Sequence, residues 1–507
     1  MRIIKSAIKL SNANLSQLGN NIRTPTYDRS LLVQHMVHMG VGGFHRAHQA
    51  VYLDDLLSLK GTERWGECGL GVLKIDRKMR DALKGQDCLY TVVERSAETQ
   101  VARVIGSIAD YIYAPEACEA AIEKMTAPET RIVSLTITEG GYFIDEGTGE
   151  FTAEHPDIQH DLQHPDQPVS SMGYIAAALN RRRLHGLPPF TVMSCDNLQG
   201  NGHVVKKVLL ALAELQNAEL ARWIANYVAF PSCMVDRITP RTTAADCAFL
   251  KEKFDLDDAW PVVTEPFMQW VIEDNFCNGR PLWERVGAQL VSDVAPYELM
   301  KMRLLNASHM AMGYLGALAG YTYIHEVMLD PLFATFIAQF MEEATPVVPK
   351  IPGTSVTEYK QVLIQRFSNP TINDQVARIC SEGSAKMPKW VLASITDLLQ
   401  LGGPIDLLSL VVASWIHYLK QGVDERGKAF EIVDARASQL TEAAKLIGTD
   451  PRPVLAINSI FGQTLPATPL FVEKVEKALQ MLDKLGTAKT MRQYLPNRHD
   501  TEQNRAK

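Results

Sequence analysis

The sequence has no long apolar run and no excess of positive charge. No segment approaches the ~18 consecutive apolar residues that a membrane-spanning helix needs, and Lys5 and Lys9 interrupt the start of the chain, so no signal peptide is predicted. Lysine and arginine total 51 against 58 acidic residues, a formal net charge of -7 that disfavours a general nucleic-acid-binding protein. We therefore expect a cytoplasmic protein without nucleic-acid or membrane partners.

Paired cysteines and closed metal-ligand sets are also missing. The eight cysteines are scattered and form no CxxC pair, which is typical of reduced thiols and excludes a disulfide framework or a zinc knuckle. Among the thirteen histidines, the cluster His155, His160 and His164 has loop spacing and acidic neighbours. No closed ligand set accompanies it, so we expect a polar surface stretch and predict no metal site.

Two domains are expected, because 507 residues exceed what one hydrophobic core usually supports. In the first half, apolar runs such as LVQHMVHMG, CGLGVLKID (ending at Asp76), TRIVSLTITEGG and PFTVMSCDN alternate with helical stretches. This alternation predicts a doubly wound, largely parallel sheet. From about Tyr297 the pattern becomes helical. We predict an α/β fold, with a Rossmann-type dinucleotide-binding domain over residues 1–290 (206–290 being ambiguous) followed by a mostly α-helical domain over residues 291–507.

A glycine-rich turn follows the first strong strand, in HMGVGGFHRAH, and a helix is predicted from about His45 to Leu59. Gly40 and Gly42 would permit a tight turn and close approach of the main chain to a pyrophosphate, and Arg46 would add a cation. His45 stands where the third glycine of the dinucleotide fingerprint is usual. Taken alone, the motif is therefore weak, and a simple strand–helix turn is the alternative.

The second strand offers Asp76 as the acid that binds the adenosine ribose. An acid there repels a 2′-phosphate, whereas its basic neighbours Lys74, Arg77 and Lys78 attract one. The balance favours NAD and leaves NADP open. The alternative for Asp76 is a helix N-cap before RKMRDAL.

The second segment of interest is YELMKMRLLNASHM, which carries Lys301, Asn306 and His309. On an α-helix, Lys301, His309 and Asn306 fall at roughly 0°, 80° and 140°, and Glu298 falls at roughly 60°. A polar stripe of this kind is usually a solvated face. The opposite face is also apolar here, which favours a buried helix whose polar face lines a cleft.

These residue types suit the oxidation of a secondary alcohol. A buried lysine can accept the hydroxyl proton, and asparagine amides can stabilise the developing alkoxide. Asn197, at the end of a predicted strand, is a second such amide, at the place where sites of α/β proteins lie. Tyr297 and Lys301 also form a YxxxK pair typical of short-chain dehydrogenases, but the chain is about twice too long for that class and the pair lies in the helical half.

Taken together, these stretches resemble the polyol-specific long-chain dehydrogenases, and among them most closely the mannitol 2-dehydrogenases. The resemblance runs almost end to end. Its matching stretches are GVGGFHRAHQAVY, IVSLTITEGGY, FTVMSCDNLQGNG, MVDRITP, NGRPLWE, Lys-x4-Asn-x2-His at 301–309, RFSN and SEGSAKMPKW.

The resemblance implies roles for individual residues, with the site in a cleft between the two domains. It makes Lys301 the general base, Asn197 and Asn306 the oxyanion-stabilising pair, and His309 the residue that orients the substrate. Glu298 and Glu139 match acidic positions for proton passage and cofactor contact. The predicted substrate contacts are Asp236, Arg378, Lys386 and Glu298. The predicted cofactor contacts are Val37, Gly40, Val41, Gly42, Gly43, Phe44, His45, Arg46, Ala47, Asp76 and Glu139.

The plain alternatives stay open for the substrate contacts: Arg378 and Lys386 as surface cations, and Asp236 with Arg237 as a structural ion pair. Lys74 departs from the family, because related chains often carry a non-basic residue there, and this puts the coenzyme choice in doubt.

The function implied is metal-independent hydride transfer between NAD(H) and a polyol/keto-sugar pair, foremost D-mannitol/D-fructose, by a monomer. Alternatives on the same scaffold are a fructuronate or tagaturonate reductase and a D-arabinitol dehydrogenase. A non-catalytic dinucleotide sensor is the alternative of another class. It has no need of a base, so the Lys301 set argues against it.

Overall fold

The computed structural model describes residues 7–62, 64–145, 149–448 and 450–495. It divides the chain into two compact units, with the boundary between Ala295 and Pro296. The first six residues, part of the stretch in which no signal peptide is predicted, lie outside the described residues. Residues 206–290 fall within the first unit.

The first unit contains the described strands. They are β1 (Ile8–Lys9), β2 (Ile22–Arg23), β3 (Val33–Met39), β4 (Trp65–Gly71), β5 (Tyr90–Arg95), β6 (Gln100–Ile105), β7 (Ile108–Tyr113), β8 (Ile132–Leu135), β9 (Thr191–Ser194), β10 (Cys233–Asp236), β11 (Leu256–Asp257), β12 (Val262–Thr264), β13 (Gln269–Glu273) and β14 (Gln289–Val291).

Its helices are α1 (Gly43–Ala47), α2 (Gln49–Leu57), α3 (Arg77–Lys84), α4 (Cys118–Thr126), α5 (Pro156–Gln163), α6 (Ser171–Leu184), α7 (Asn201–Gln216), α8 (Ala218–Tyr227) and α9 (Ala244–Phe254). Short 3-10 turns lie at Asn12–Gln17, Arg29–Leu31, Lys74–Asp76, Ala114–Glu116, Glu139–Tyr142 and Trp283–Val286.

The main sheet is parallel and has the order β7-β4-β3-β8-β9. The first strand of the motif, β3, therefore lies in the middle, with Val37 opposite Cys68 on one side and Val133 on the other. From β3 the chain first builds the sheet on one side, with β4 and β7, and then on the other side, with β8 and β9. The reversal of strand order lies between β3 and β8, and open α/β sheets bind ligands at the carboxyl ends of the strands at such a point. The predicted Rossmann-type fold is confirmed.

Two further strand-like runs of the first half, CLYTVVERS and ARVIGSIAD, lie wholly or partly outside the main sheet. CLYTVVERS supplies β5 and the start of ARVIGSIAD supplies the end of β6, and these two strands pair antiparallel in a separate sheet of order β12-β5-β6-β2. The last residues of ARVIGSIAD begin β7 of the main sheet. The run ending at Asp76 also differs, because β4 ends at Gly71 and residues 74–76 form a 3-10 turn. The apolar pattern of these runs indicates strands, but the pattern alone does not say which sheet a strand joins or where it ends.

The second unit is helical. Its helices are α10 (Ala295–Met300), which begins at the last residue of the first unit, α11 (Ala307–Leu318), α12 (Ile324–Leu329), α13 (Pro331–Ala344), α14 (Val356–Phe367), α15 (Val376–Cys380), α16 (Gly383–Met387), α17 (Ala393–Leu401), α18 (Asp406–Gln421), α19 (Ala437–Lys445), α20 (Arg452–Leu455), α21 (Asn458–Phe461), α22 (Pro469–Leu485) and α23 (Thr487–Tyr494). Two π-helical segments, Lys301–Asn306 and Pro388–Leu392, join α10 to α11 and α16 to α17.

The core of this unit surrounds α18, which is buried along nearly its whole length. The first N–H groups of α18 have no partner within the helix, as at any helix start. The carboxylate of Glu343, on α13, accepts two of them, from Leu407 N (3.0 Å) and Leu408 N (2.8 Å). Within the described residues, no helix is both long and apolar enough to cross a membrane.

Candidate active site

The glycine turn after β3 is held at the carboxyl edge of the main sheet. Gly40 has a φ of +87°, and a Cβ atom there would lie 2.1 Å from the carbonyl oxygen of Thr136. The hydroxyl of Thr136 donates to Gly40 O at 2.7 Å, and Gly40 N donates to Leu70 O at 3.2 Å. Only glycine satisfies both the positive φ and the close contact, so the turn leaves room for main-chain approach to a ligand.

The helix predicted from His45 to Leu59 is two helices. Gly42 is the N-cap of α1, and the chain breaks at His48, where φ is -125° and ψ is -87°, before α2 begins. Ala47 of α1 is fully buried, and Val41, which lies just before α1, is nearly so. Phe44 stacks on the ring of His48 at a centroid distance of 5.0 Å. Val37 is buried within β3 as part of the core.

Arg46 is fully buried inside the first unit. Its guanidinium donates to Gly42 O at 3.2 Å and to Trp260 O, and it packs over the Tyr90 ring. A fully buried arginine saturates its donors with main-chain carbonyls wherever it can. In this structure Arg46 supports the turn from within, and its role as a cation beside a pyrophosphate stays a prediction.

His45 occupies the third fingerprint position for a structural reason. Its Nε2 lies 2.6 Å from Glu67 Oε1, and its ring stacks on that of His38 at 3.4 Å between centroids. Burial lowers the pKa of His45 to about 3 and raises the pKa of Glu67 to about 7. Burial thus favours the uncharged form of each partner. The imidazole fills the space that a glycine would leave between helix and strand.

Asp76 holds the loop that follows β4. Its Oδ2 accepts hydrogen bonds from Val72 N (2.9 Å) and Leu73 N (2.8 Å), and burial raises the pKa of the carboxyl group. The helix α3 that follows receives no side-chain cap from Asp76. Among the basic neighbours, Arg77 pairs with Glu116, while Lys74 and Lys78 are exposed.

Glu139 and Asn197 follow the neighbouring strands β8 and β9. Leu135 and Ser194 are partners in the parallel register, so both strands end at the same edge as the glycine turn. Glu139 begins a 3-10 turn and is exposed, as is Asn197. Asp236 is the last residue of β10 in another sheet, and it is buried.

In the second unit, the predicted catalytic segment is π-helical over Lys301–Asn306. Lys301 and His309 are each only 8% exposed, and Asn306 and Glu298 are each 5% exposed. A π-turn closes with i→i+5 hydrogen bonds, so residues five apart share a face. Lys301 and Asn306 are such a pair, whereas ordinary α-helical winding would separate them by ~140°.

The π-turn is the feature that sequence reasoning missed. π-helical turns are rare and occur frequently at functional sites. The trace that it leaves in the sequence is the width of the polar stripe, which spans ~140° when the segment is wound as an α-helix. His309, in the first turns of α11, lies 4.9 Å from the ring of Phe367, which belongs to the RFSN stretch.

Arg378 and Lys386 are both engaged by their own segment. The Arg378 guanidinium donates from Nε and Nη2 to the carboxylate of Asp374, at 2.7 Å each, and the side chain is exposed. Lys386 Nζ donates to Ser381 O at 2.5 Å and to Ile379 O at 3.3 Å. Any substrate contact of these cations would come in addition to these partners.

Among the described residues, no group of three or more histidine, cysteine, aspartate or glutamate side chains is arranged to hold a metal ion. His160 and His164 lie 4.9 Å apart between ring centroids, and His155 lies against Phe143.

Comparison with known proteins gives consistent matches along the chain. Residues 34–285 match the family model described as the mannitol dehydrogenase Rossmann domain, and residues 293–483 match the mannitol dehydrogenase C-terminal domain. A mannitol 2-dehydrogenase of Aspergillus oryzae is 49% identical over 499 residues, covering 96% of this chain and 99% of the relative. One of Phaeosphaeria nodorum is 49% identical, covering 97% of this chain and 87% of the relative.

Solved structures give the same result. The ternary complex of Pseudomonas fluorescens mannitol 2-dehydrogenase with NAD and D-mannitol matches with a TM-score of 0.88 at 48% identity, covering 96% of this chain and 99% of that one. A D-sorbitol dehydrogenase in substrate-free form matches with a TM-score of 0.86 at 32% identity, covering 95% and 100% of the two chains.

Proposed function

Because this chain belongs to the mannitol dehydrogenase family, we propose that it is an NAD-dependent oxidoreductase that interconverts D-mannitol and D-fructose. The observation that carries the proposal is the π-turn, on which Lys301 and Asn306 share one face and both are nearly buried. A protein that only bound the dinucleotide would have no use for such a base.

The glycine turn fits a dinucleotide. At Gly40 there is no space for a side chain, and Gly42 and Gly43 also leave the main chain accessible. Asp76 Oδ2 is used by the loop, and Oδ1 would accept a hydrogen bond from a ribose hydroxyl. Glu139 would contact the cofactor from the end of β8. When bound, the nicotinamide would accept hydride from the substrate carbon or return it.

In the proposed mechanism, Lys301 Nζ receives the hydroxyl proton of the alcohol being oxidised. The side-chain amides of Asn306 and Asn197 donate to the developing alkoxide, and His309 donates to the same oxygen to orient it. Glu298 lies just before the π-turn and would carry the proton away from Lys301 Nζ. In the reverse direction, the Lys301 ammonium protonates the carbonyl oxygen.

Polyol hydroxyls would be bound by Asp236, Lys386 and Arg378. A carboxylate substrate such as fructuronate would need a fixed cation whose charge is not already engaged. Arg378 is paired with Asp374. This pairing favours a neutral polyol over a sugar acid.

The test is turnover by purified, EDTA-treated protein, followed by nicotinamide absorbance. D-mannitol with NAD and D-fructose with NADH should both react, and EDTA should leave the rate unchanged because the proposed base is Lys301. D-sorbitol, D-arabinitol and fructuronate are the comparison substrates, each with NAD(H) and NADP(H). Turnover with one of them alone would replace the substrate and keep the mechanism, whereas no turnover with any would contradict the proposal.

We further propose that the protein acts as a monomer in the cytoplasm. Light scattering on the purified protein should give the mass of one chain. A mass of two or more chains at working concentration would contradict the first part, and fractionation of the source cells checks the second.

A further inference from the structure

One carboxylate joins the ends of β8 and β9. Asp196 lies two residues beyond β9 and is only 8% exposed. Its Oδ1 accepts a hydrogen bond from Thr138 N at 2.9 Å, and its Oδ2 accepts from Ile137 N at 3.0 Å and from the hydroxyl of Tyr142 at 2.7 Å. Three donors from the segment after β8 thus converge on the residue that immediately precedes Asn197.

The segment after β8 needs such an anchor, because Thr138 has a φ of +61° and a ψ of 169°. Residues other than glycine rarely adopt this main-chain conformation, and it persists only where the surrounding structure enforces it. Thr138 directly precedes Glu139, and Thr136 two residues earlier donates to Gly40 O. The Asp196 carboxylate therefore fixes a strained main chain between the glycine turn and Glu139.

The other side of Asp196 is held as firmly. Its carbonyl oxygen accepts from the side-chain amide of Asn201 at 3.0 Å, and Asn201 also exchanges hydrogen bonds with the main chain of Cys233. The hydroxyl of Ser194 lies 2.5 Å from that of Tyr142. The main chain that leads into Asn197 is consequently fixed from both sides.

We propose that Asp196 is a positioning residue for hydride transfer: its carboxylate sets the strand end that carries Asn197 against the Thr136–Glu139 segment. The inference rests on the proposed function, in which the Asn197 amide donates to the developing alkoxide. A small displacement of such a donor is costly in rate, because the stabilisation depends on preorganised geometry.

The chemistry of the side chain makes Asp196→Asn a sharp test. A carboxylate presents two acceptor oxygens to three donors, whereas an amide presents one oxygen and one NH2 group. In the variant, the NH2 group would face a main-chain N–H or the tyrosine hydroxyl. The volume is unchanged, so the substitution alters the hydrogen bonding and leaves the packing intact.

The measurement is a single turnover of limiting D-mannitol by excess NAD-saturated enzyme, beside a fluorescence titration that counts the NADH-binding sites per chain. We expect the rate constant of hydride transfer to fall about 10- to 100-fold in Asp196→Asn, with an unchanged number of NADH-binding sites per chain. A purely structural role would lower the number of NADH-binding sites through loss of folded protein and leave the rate constant unchanged. Mannitol deuterated at C2 identifies the hydride-transfer phase.

Asp54→Asn is the matched control. Asp54 is also a buried carboxylate with three donors: the Tyr27 hydroxyl (2.6 Å), Gly106 N (2.8 Å) and Arg103 Nη2 (2.7 Å). Gly106 precedes β7, so Asp54 lies at the amino edge of the main sheet. This variant should lose thermal stability and keep the hydride-transfer rate constant.

Tyr142→Phe removes one of the three donors to Asp196 and should show a smaller fall in the same rate constant. This variant replaces Asp196→Asn in the test if Asp196→Asn does not fold. An unchanged rate constant in the variant tested, or an equal fall in Asp54→Asn, would overturn the positioning role alone. Absence of hydride transfer in the unmodified protein would overturn the proposed function and this inference together.

Discussion

The two units position their functional groups by different means. In the first unit, the groups assigned to the cofactor and to the substrate oxygen lie on main chain that the sheet holds in place: Gly40 follows β3, and Glu139 and Asn197 follow β8 and β9. In the second unit, Lys301 and Asn306 lie on a helix whose winding changes locally. A glycine turn or a strand end is visible in a sequence, whereas a change of helical winding is not.

The comparison has a functional counterpart. Changes at the glycine turn and at Asp76 should alter cofactor affinity, whereas changes on the π-turn should alter turnover and leave cofactor affinity unchanged. Of the four substitutions below, given from the largest expected effect to the smallest, the first three test this division and the fourth tests the buried His45–Glu67 pair of the first unit.

Lys301→Ala should lower kcat for mannitol oxidation about 10²- to 10⁴-fold, the usual contribution of a general base. The dissociation constant of NADH, measured by fluorescence titration, should change little. Lys360→Ala is the control, because Lys360 is a second nearly buried lysine of the same unit, 2.7 Å from Glu342 Oε1. The Lys360→Ala variant should have a lower stability and an unchanged kcat. Persistent activity in Lys301→Ala would assign the base elsewhere.

Gly40→Ala should weaken NADH binding at least about 10-fold and lower the melting temperature, since the new Cβ atom would collide with Thr136 O and the positive φ disfavours alanine. Gly42→Ala is the contrast: the nearest atom to its Cβ is 3.8 Å away, so the fold should hold. A fall in NADH affinity in Gly42→Ala without loss of stability would indicate direct main-chain approach to the cofactor. An unchanged NADH affinity in Gly40→Ala would contradict the assignment of cofactor binding to the glycine turn.

Asp76→Ala should weaken NADH more than NADPH, with a change in the ratio of their dissociation constants of about 3- to 30-fold, because an acid near the ribose repels a 2′-phosphate. Asp81→Ala, which removes an exposed acid of α3 paired with Arg80, should leave the ratio unchanged. If both variants shift the ratio equally, general surface charge sets the preference and the ribose contact lies elsewhere.

Glu67→Gln should change how stability depends on pH. Burial raises the pKa of Glu67 from 4.5 to about 7, so its favourable contribution is fully present below its unfolded pKa and is lost as the pH rises through about 7. The unmodified protein should therefore lose about 1–3 kcal/mol of unfolding free energy relative to the variant between about pH 5 and pH 8. Parallel pH profiles for the two proteins would show that folding leaves the pKa of Glu67 unshifted and would contradict this prediction.

Much of the fold could be predicted from the sequence because its signals are local. The run before Gly40, the helical pattern after Tyr297 and the placement of Asn197 after a strand each depend on a few neighbouring residues. The full-length resemblance then led to the family, which the comparisons confirm.

What could not be predicted depends on contacts distant in sequence. Arg46 is buried against Trp260, 214 positions away, and the residues around the glycine turn give no sign of that contact. The antiparallel pairing of β5 and β6 outside the main sheet likewise follows from tertiary packing. Winding at Lys301 is set by the helices around it, since propensity does not distinguish π from α.

The Glu343 bonds to the start of α18 have a consequence for how the second unit folds. Helices usually form quickly because their contacts are local, but the first turn of α18 is completed by a carboxylate 64 positions earlier in the chain. Bringing these segments together closes a long loop, which costs chain entropy before any bond is gained. We therefore expect the first turn of α18 to gain its full stability only when α13 packs against it, and the unit to unfold in one cooperative step.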